Sequence, residues 1–128
     1  MYNWYTVADS RNIAPVGWHV PSETEWEVLR TFLGNNVNSG GNLKESGLLH
    51  WISPNANATN STGFTALPAG IRPYGQFVLV GYKTFWLSST EDDTYNSALF
   101  FGVYYNFGNI DVLNEGKYFG GSIRCIKD

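Results

Sequence analysis

The apolar positions of the chain change their period near residue 63, and the two regimes predict different structure. Between Ser22 and Gly34 the spacing is helical, with Trp26, Leu29 and Phe32 or Leu33 recurring at three- and four-residue intervals. Ser22 and Glu25 make an S-x-x-E capping box, in which the serine hydroxyl takes an N–H of the first turn and the glutamate reaches back to the cap residue. Gly34 supplies a left-handed stop, so residues 23–33 are expected to form a helix with one buried face. Ahead of it, residues 2–8 mix aromatic and β-branched side chains in alternation and predict a short strand running into the loop 9–12. From residue 35 to 63 Asn, Ser, Gly and Thr dominate, interrupted by Leu43-Lys44-Glu45 and Leu48-Leu49-His50-Trp51-Ile52. This predicts a short second helix followed by a long ordered loop pinned by Trp51.

Beyond Gly63 the chain breaks into short β-type runs split by turn residues: 64–71, 77–80, 82–88, 97–105, 110–113 and 118–126. Helices first and many strands after predict an α+β fold with antiparallel strands and the helices packed to one side. A single domain over residues 1–128 fits a chain of 14.3 kDa.

Composition narrows the function. Charged residues make up 15% of the chain, against about 25% in an average protein, while aromatics reach 16%. The net charge is −3 and no basic block is present, which argues against a nucleic-acid partner. The longest apolar runs, 77–80 and 98–103, fall far short of the roughly 20 residues needed to span a bilayer, so direct membrane insertion is not expected. With Cys125 as the one cysteine, neither an internal disulfide nor a cysteine-based zinc cluster can form.

Catalytic constellations are weak. His19 and His50 each sit near a tryptophan and an apolar residue and read as packed, hydrogen-bonded side chains. Glu91-Asp92-Asp93 lacks the alternating ligand spacing of a dedicated calcium loop, and neither Ser88 nor Ser89 lies in a G-x-S-x-G elbow. No catalytic residue, metal or cofactor is therefore expected. The segment from Asp92 to Phe119 is different: it is dense in Tyr, Phe, Asn, Gly and Ser with little charge. Rings provide large rigid contact area and the small polar residues adapt their hydrogen bonds, which is the vocabulary of a recognition surface. In a strand from Ala98 to Tyr105 both sets of alternate side chains contain rings, so some of them lie outside the main core or are covered by another element.

At this point whole blocks of the chain resemble a known family. Tyr2-Asn3-Trp4-Tyr5, Gly17-Trp18-His19-Val20-Pro21-Ser22 and Glu25-Trp26 are similar to the start of the Fibrobacter succinogenes major paralogous domain. Gly40-Gly41-Asn42-Leu43-Lys44-Glu45-Ser46-Gly47, His50-Trp51, Ala66-Leu67-Pro68-Ala69-Gly70, Phe85-Trp86-Leu87-Ser88-Ser89-Thr90-Glu91 and Gly121-Ser122-Ile123-Arg124-Cys125 continue the likeness. The resemblance implies a C-type lectin-like fold related to formylglycine-generating enzymes, in extracellular or cell-surface domains trimmed from longer bacterial chains. It extends to variable proteins of diversity-generating retroelements, whose C-terminal segment varies while the scaffold is kept.

By that resemblance the binding face falls on Asp92, Asp93, Tyr95, Asn96, Phe101, Tyr105, Asn106, Phe107, Asn109, Asp111, Asn114 and Tyr118. The expected function is a non-enzymatic, adhesin- or receptor-type module that binds a protein or glycan, the alternative being a carbohydrate-binding domain of a surface or polysaccharide-degrading protein. Ala14 stands where family members often carry a cysteine that pairs with the C-terminal one, and the calcium-dependent sugar motifs Glu-Pro-Asn and Trp-Asn-Asp are absent. A single cysteine also departs from the two-thiol chemistry of the related oxidising enzymes.

Overall fold

A computed structural model describes residues 1–92 and 95–128. The chain opens with a single helical turn, α1 (Trp4–Val7), in place of the expected strand. Asn3 Oδ1 caps it by accepting from the Thr6 N–H at 3.3 Å, and burial of the Trp4 ring beneath the Lys117 ammonium, 4.7 Å from the ring, fixes the turn. Of the predicted strand only Tyr2 pairs, with Gly121. The two-residue β1 (Trp18–His19) follows, and then α2 (Glu23–Phe32). The capping box of α2 is complete: Ser22 Oγ accepts from the Glu25 N–H and the Glu25 carboxylate accepts from the Ser22 N–H. Trp26 is buried, Leu29 and Leu33 pack half-buried beside it, and Phe32 points to solvent.

No second helix forms between Leu43 and Ile52. Gly47 has φ +85, which a helix cannot hold, and Lys44 instead makes a parallel bridge to Ala66. The short helix of this α+β fold is the N-terminal one. Residues 35–82 are long ordered loop with a 3₁₀ turn at Pro73–Gly75, and the runs expected as strands at 64–71 and 77–80 are reduced to isolated bridges, Ile71 with Val78 and Gly70 with Thr84.

The regular sheet consists of β2 (Lys83–Asp92), β3 (Ser97–Tyr104) and β4 (Asp111–Gly116), antiparallel in the order β2-β3-β4. Its register places Leu87 opposite Phe100, which in turn faces Leu113, and Trp86 opposite Phe101, which faces Val112. Successive residues of a strand point to opposite faces, so Phe100 and Phe101 enter different cores. Phe101 and Val103 pack with Trp26, Leu43, Trp51, Ala66, Trp86 and Ile110 under α2 and the long loop. Phe100 and Ala98 pack with Trp4, Ile71, Phe85, Leu87 and Phe119 under α1 and the 71–78 and 118–123 segments. The sheet is therefore buried on both faces, and the rings of β3 that alternation forbids from sharing one core are divided between two.

β5 (Ile126–Lys127) pairs antiparallel with β1, bringing the last residues back to the helix entrance. His19 ties this junction together: Nδ1 meets the Asp128 carboxylate at 2.6 Å and Nε2 the Glu25 carboxylate at 2.9 Å. Hydrogen bonds to Asp128 and then Glu25 raise the imidazole above its ordinary 6.5. The Ser22 backbone N–H, followed by His19, holds Glu25 below its ordinary 4.5.

Two predictions follow from this packing. Phe100→Ala and Phe101→Ala should each lower the stability measured by denaturant unfolding by about 3–5 kcal/mol, because each ring fills its own core. A much smaller loss for either would mean that one sheet face is open. The His19 contribution should be complete below about 6.5 and fall as pH rises through the raised imidazole value; that of Glu25 should be complete above about 4.5 and fall on acidification. The difference in thermal midpoint between wild type and His19→Gln is thus largest between those two values and shrinks in alkali.

Candidate functional site

A lysine holds the loop after β3, which carries part of the candidate residues. Lys44 is fully buried, and its ammonium donates to three main-chain carbonyls: Ala56 at 2.7 Å, Tyr104 at 2.9 Å and Phe107 at 3.0 Å. Its Nζ also lies 5.5 Å from the centre of the Trp51 ring, whose own Nε1–H donates to the Ala66 carbonyl. Burial pulls Lys44 down to about 8, while three carbonyl acceptors favour the charged form, so the ammonium keeps its protons at neutral pH. The same junction is sewn by main-chain bonds from Ala56 N–H to the Tyr105 carbonyl and from Gly41 N–H to the Gly108 carbonyl. Close approach is needed here: a side chain at Gly41 would strike the Asn57 carbonyl, and one at Gly108 the Val37 carbonyl.

The candidate residues do not converge on one spot. They leave the sheet at opposite ends of β3, whose eight residues span about 25 Å at roughly 3.3 Å per residue. At the β2–β3 hairpin end lie Asp92, Tyr95, Asn96, Asn114 and Tyr118. Here the Asn114 amide donates to the Asp92 carboxylate at 2.6 Å, and the Tyr118 ring rests 5.9 Å from Tyr74. Asp93 lies outside the described residues. At the other end lie Tyr105, Asn106, Phe107, Asn109 and Asp111, on or beside the loop that Lys44 holds.

Phe101, between these ends, has no exposed surface and belongs to the core under α2, because its place in the strand turns it toward Trp26, 5.5 Å away. It is removed from the binding face. Tyr105 is half-buried against the same core, edge-on to Tyr82 at 5.2 Å. Tyr95, Asn96, Asn106, Phe107, Asn114 and Tyr118 are exposed, and Asp92, Asn109 and Asp111 are intermediate. Asn96 has φ +49, so its residue type also serves the turn it occupies.

Around Phe107 the structure assembles a platform that the sequence reading missed. Lys83, Tyr104, Asp111 and Glu115 share the second sheet face with Phe85 and Gly102, as their pairings across β2, β3 and β4 require. The Tyr104 ring stands edge-on to Phe107 at 6.2 Å and to Phe85 at 5.4 Å, with the Lys83 ammonium 5.3 Å from its centre. Burial, then the negative charges of Asp111 and Glu115, raise the Tyr104 phenol; burial lowers Lys83 against the pull of Glu115. Two half-exposed or exposed rings with an ammonium over one of them, and Asp111 on the same sheet face, suit stacking with hydrogen bonding to a hydroxyl-rich ligand. Tyr104 stood inside the aromatic segment and was within reach of sequence reasoning. Lys83, Glu115 and Lys44 gave no local signal, since a lone charged residue reads as solvated.

The residues weighed for catalysis are placed elsewhere. Ser88 is fully buried and its Oγ accepts from the Thr90 N–H. His50 is exposed beside Glu45, and burial pushes the Cys125 thiol up, away from the reactive thiolate. Among the described residues no group of three or more His, Cys, Asp or Glu stands close enough to hold a metal ion, and no helix is long and apolar enough to cross a membrane.

Compared with known proteins, the chain matches the family model described as Fibrobacter succinogenes major domain over residues 1–127. No curated protein and no solved structure matches it.

Lys44→Met keeps most of the volume but strips three carbonyls of their donor. Unfolding should lose about 2–4 kcal/mol, the sum of several unmet acceptors less the relief of one buried charge. Amide exchange at residues 104–108 should accelerate before that of β2 and β3. Unchanged exchange in that loop would show that Lys44 does not hold it.

Proposed function

We propose, for a chain that belongs to the Fibrobacter succinogenes major domain family, a non-enzymatic binding module of C-type lectin-like fold that displays variable side chains on a fixed scaffold. The observation that carries this reading is the separation of display from packing. Six of the twelve candidate positions, at 95, 96, 106, 107, 114 and 118, are exposed and belong to neither core. The loop that carries 106 and 107 is fixed by main-chain bonds and by Lys44, which grips carbonyls that any residue supplies. Such positions, Asn96 with its left-handed backbone apart, accept substitution at little cost to the fold, which is the requirement for a face that is diversified by a retroelement. The ligand is a protein or glycan on another cell or surface, and the module works outside the cell or at its surface.

The platform of Tyr104, Phe107, Lys83 and Asp111 favours a second reading, a carbohydrate-binding domain. Sugars present apolar faces to rings and hydroxyls to carboxylates and ammonium groups, and both lie here together.

Replacing Tyr95, Phe107 and Tyr118 by Ala should each change stability by no more than about 0.5 kcal/mol. Tyr105→Ala, half-buried, should lose more. On arrays of cellulose, xylan and mucin glycans, binding weakened at least about tenfold by Phe107→Ala would support the glycan reading. Sequencing the gene's 3′ end across its source population should find substitutions at the exposed positions between codons 92 and 119, placed where a near-identical second copy has adenine. An invariant segment with no second copy would end the diversification proposal.

A further inference from the structure

A cavity of about 260 Å³ opens between α2 and β5, and none of the described candidate positions lines it. Its walls are Trp26, Leu29, Phe64 and Ile126, and its two charged residues are Glu25 and Arg124. The apolar wall is rigid. Trp26 stacks with Trp86, 5.8 Å away at 21°, and with Phe101, 5.5 Å away at 11°, while Phe64 stands edge-on to Trp86 at 5.2 Å.

The two charges differ in what they have left to offer. Both oxygens of the Glu25 carboxylate are engaged, one by the Ser22 N–H and hydroxyl and the other by His19. Arg124 is exposed, with its guanidinium stacked 4.1 Å over the Phe64 ring, and donates from one nitrogen to the Phe64 carbonyl at 3.0 Å. Among the described residues it has no carboxylate partner, unlike Arg11 with Asp9 and Arg30 with Glu27. The Trp26 Nε1–H is buried without an acceptor. An apolar hollow is thus bordered by a satisfied anion and an unpaired, planar cation, the group best shaped to take a carboxylate through two parallel hydrogen bonds.

We propose that this cavity is a binding site for a small carboxylate whose body is a single apolar ring. The ring lies against Trp26, Leu29, Phe64 and Ile126, and the carboxylate meets Arg124. The volume accommodates one ring with a short side chain; an apolar cavity of about 150 Å³ already admits benzene. The site is independent of the display face proposed above.

Phenylacetate is the probe, with phenethylamine as its cationic counterpart and benzyl alcohol as the neutral one, each titrated against tryptophan fluorescence and amide chemical shifts. Phenylacetate should saturate with a Kd below about 1 mM, shift amides near residues 21–29, 64 and 124–126, and exceed both other probes by about tenfold or more. Arg124→Gln should remove that preference while Arg124→Lys keeps part of it. Leu29→Trp, which fills the hollow, should abolish binding at an unfolding midpoint that shows the variant folded. Equal affinity for acid and amine, an unaltered preference in Arg124→Gln, or no saturation by about 10 mM would each overturn the proposal.

Discussion

Two consecutive phenylalanines in the middle strand of a three-stranded sheet impose the constraint on which this structure depends. Phe100 and Phe101 point to opposite faces, so both faces must be covered. Two helices of four and ten residues cannot do it, and the remaining cover is loop. Loop brings main-chain carbonyls and N–H groups into the interior, where each needs a partner. Lys44 answers for three carbonyls, the Trp51 indole for one, and the Asn55 amide for those of Glu45 and Gly47. Loop also demands tight reversals: six of the nine non-glycine residues described with positive φ are asparagines. The asparagine content thus serves turns.

The few charges near the interior do similar work. Lys117 is buried over the Trp4 ring and paired with Glu91, joining the N-terminal turn to β2 and to the segment after β4. Lys83 lies over Phe85 and Tyr104 at the open end of the second face. Each ammonium is set against a ring and meets a carboxylate, a carboxylate's field or carbonyl oxygens, so that its charge and its methylene stem are both matched. A chain with little charge has placed several of its lysines where the loops meet the sheet.

This construction separates the exposed side chains from the packed interior. The end of β3 and the following turn are fixed through main-chain atoms, so the Asn106 and Phe107 side chains are left to solvent, whereas Tyr105 is drawn half into the core. At the hairpin end the same separation leaves Tyr95 and Tyr118 exposed while Ala98 and Phe119 pack beneath.

Local pattern determined α2 by itself, because the Ser22–Glu25 box, the spacing of Trp26 and Leu29 and the stop at Gly34 act within a few residues. It also located the three sheet strands to within a few residues, the α+β class and the family. It did not determine which alternate set of β3 faced a core, since both do, and so it counted Phe101 as surface. It read residues 2–8 as strand because alternation carries no knowledge of Asn3 as a cap or of Lys117 waiting above Trp4. The roles of Lys44 and Lys83, and the division of the candidate residues between two ends of a strand, were decided by tertiary structure alone. Those roles depend on partners up to 63 residues away in the chain, at a separation where no local period reports them.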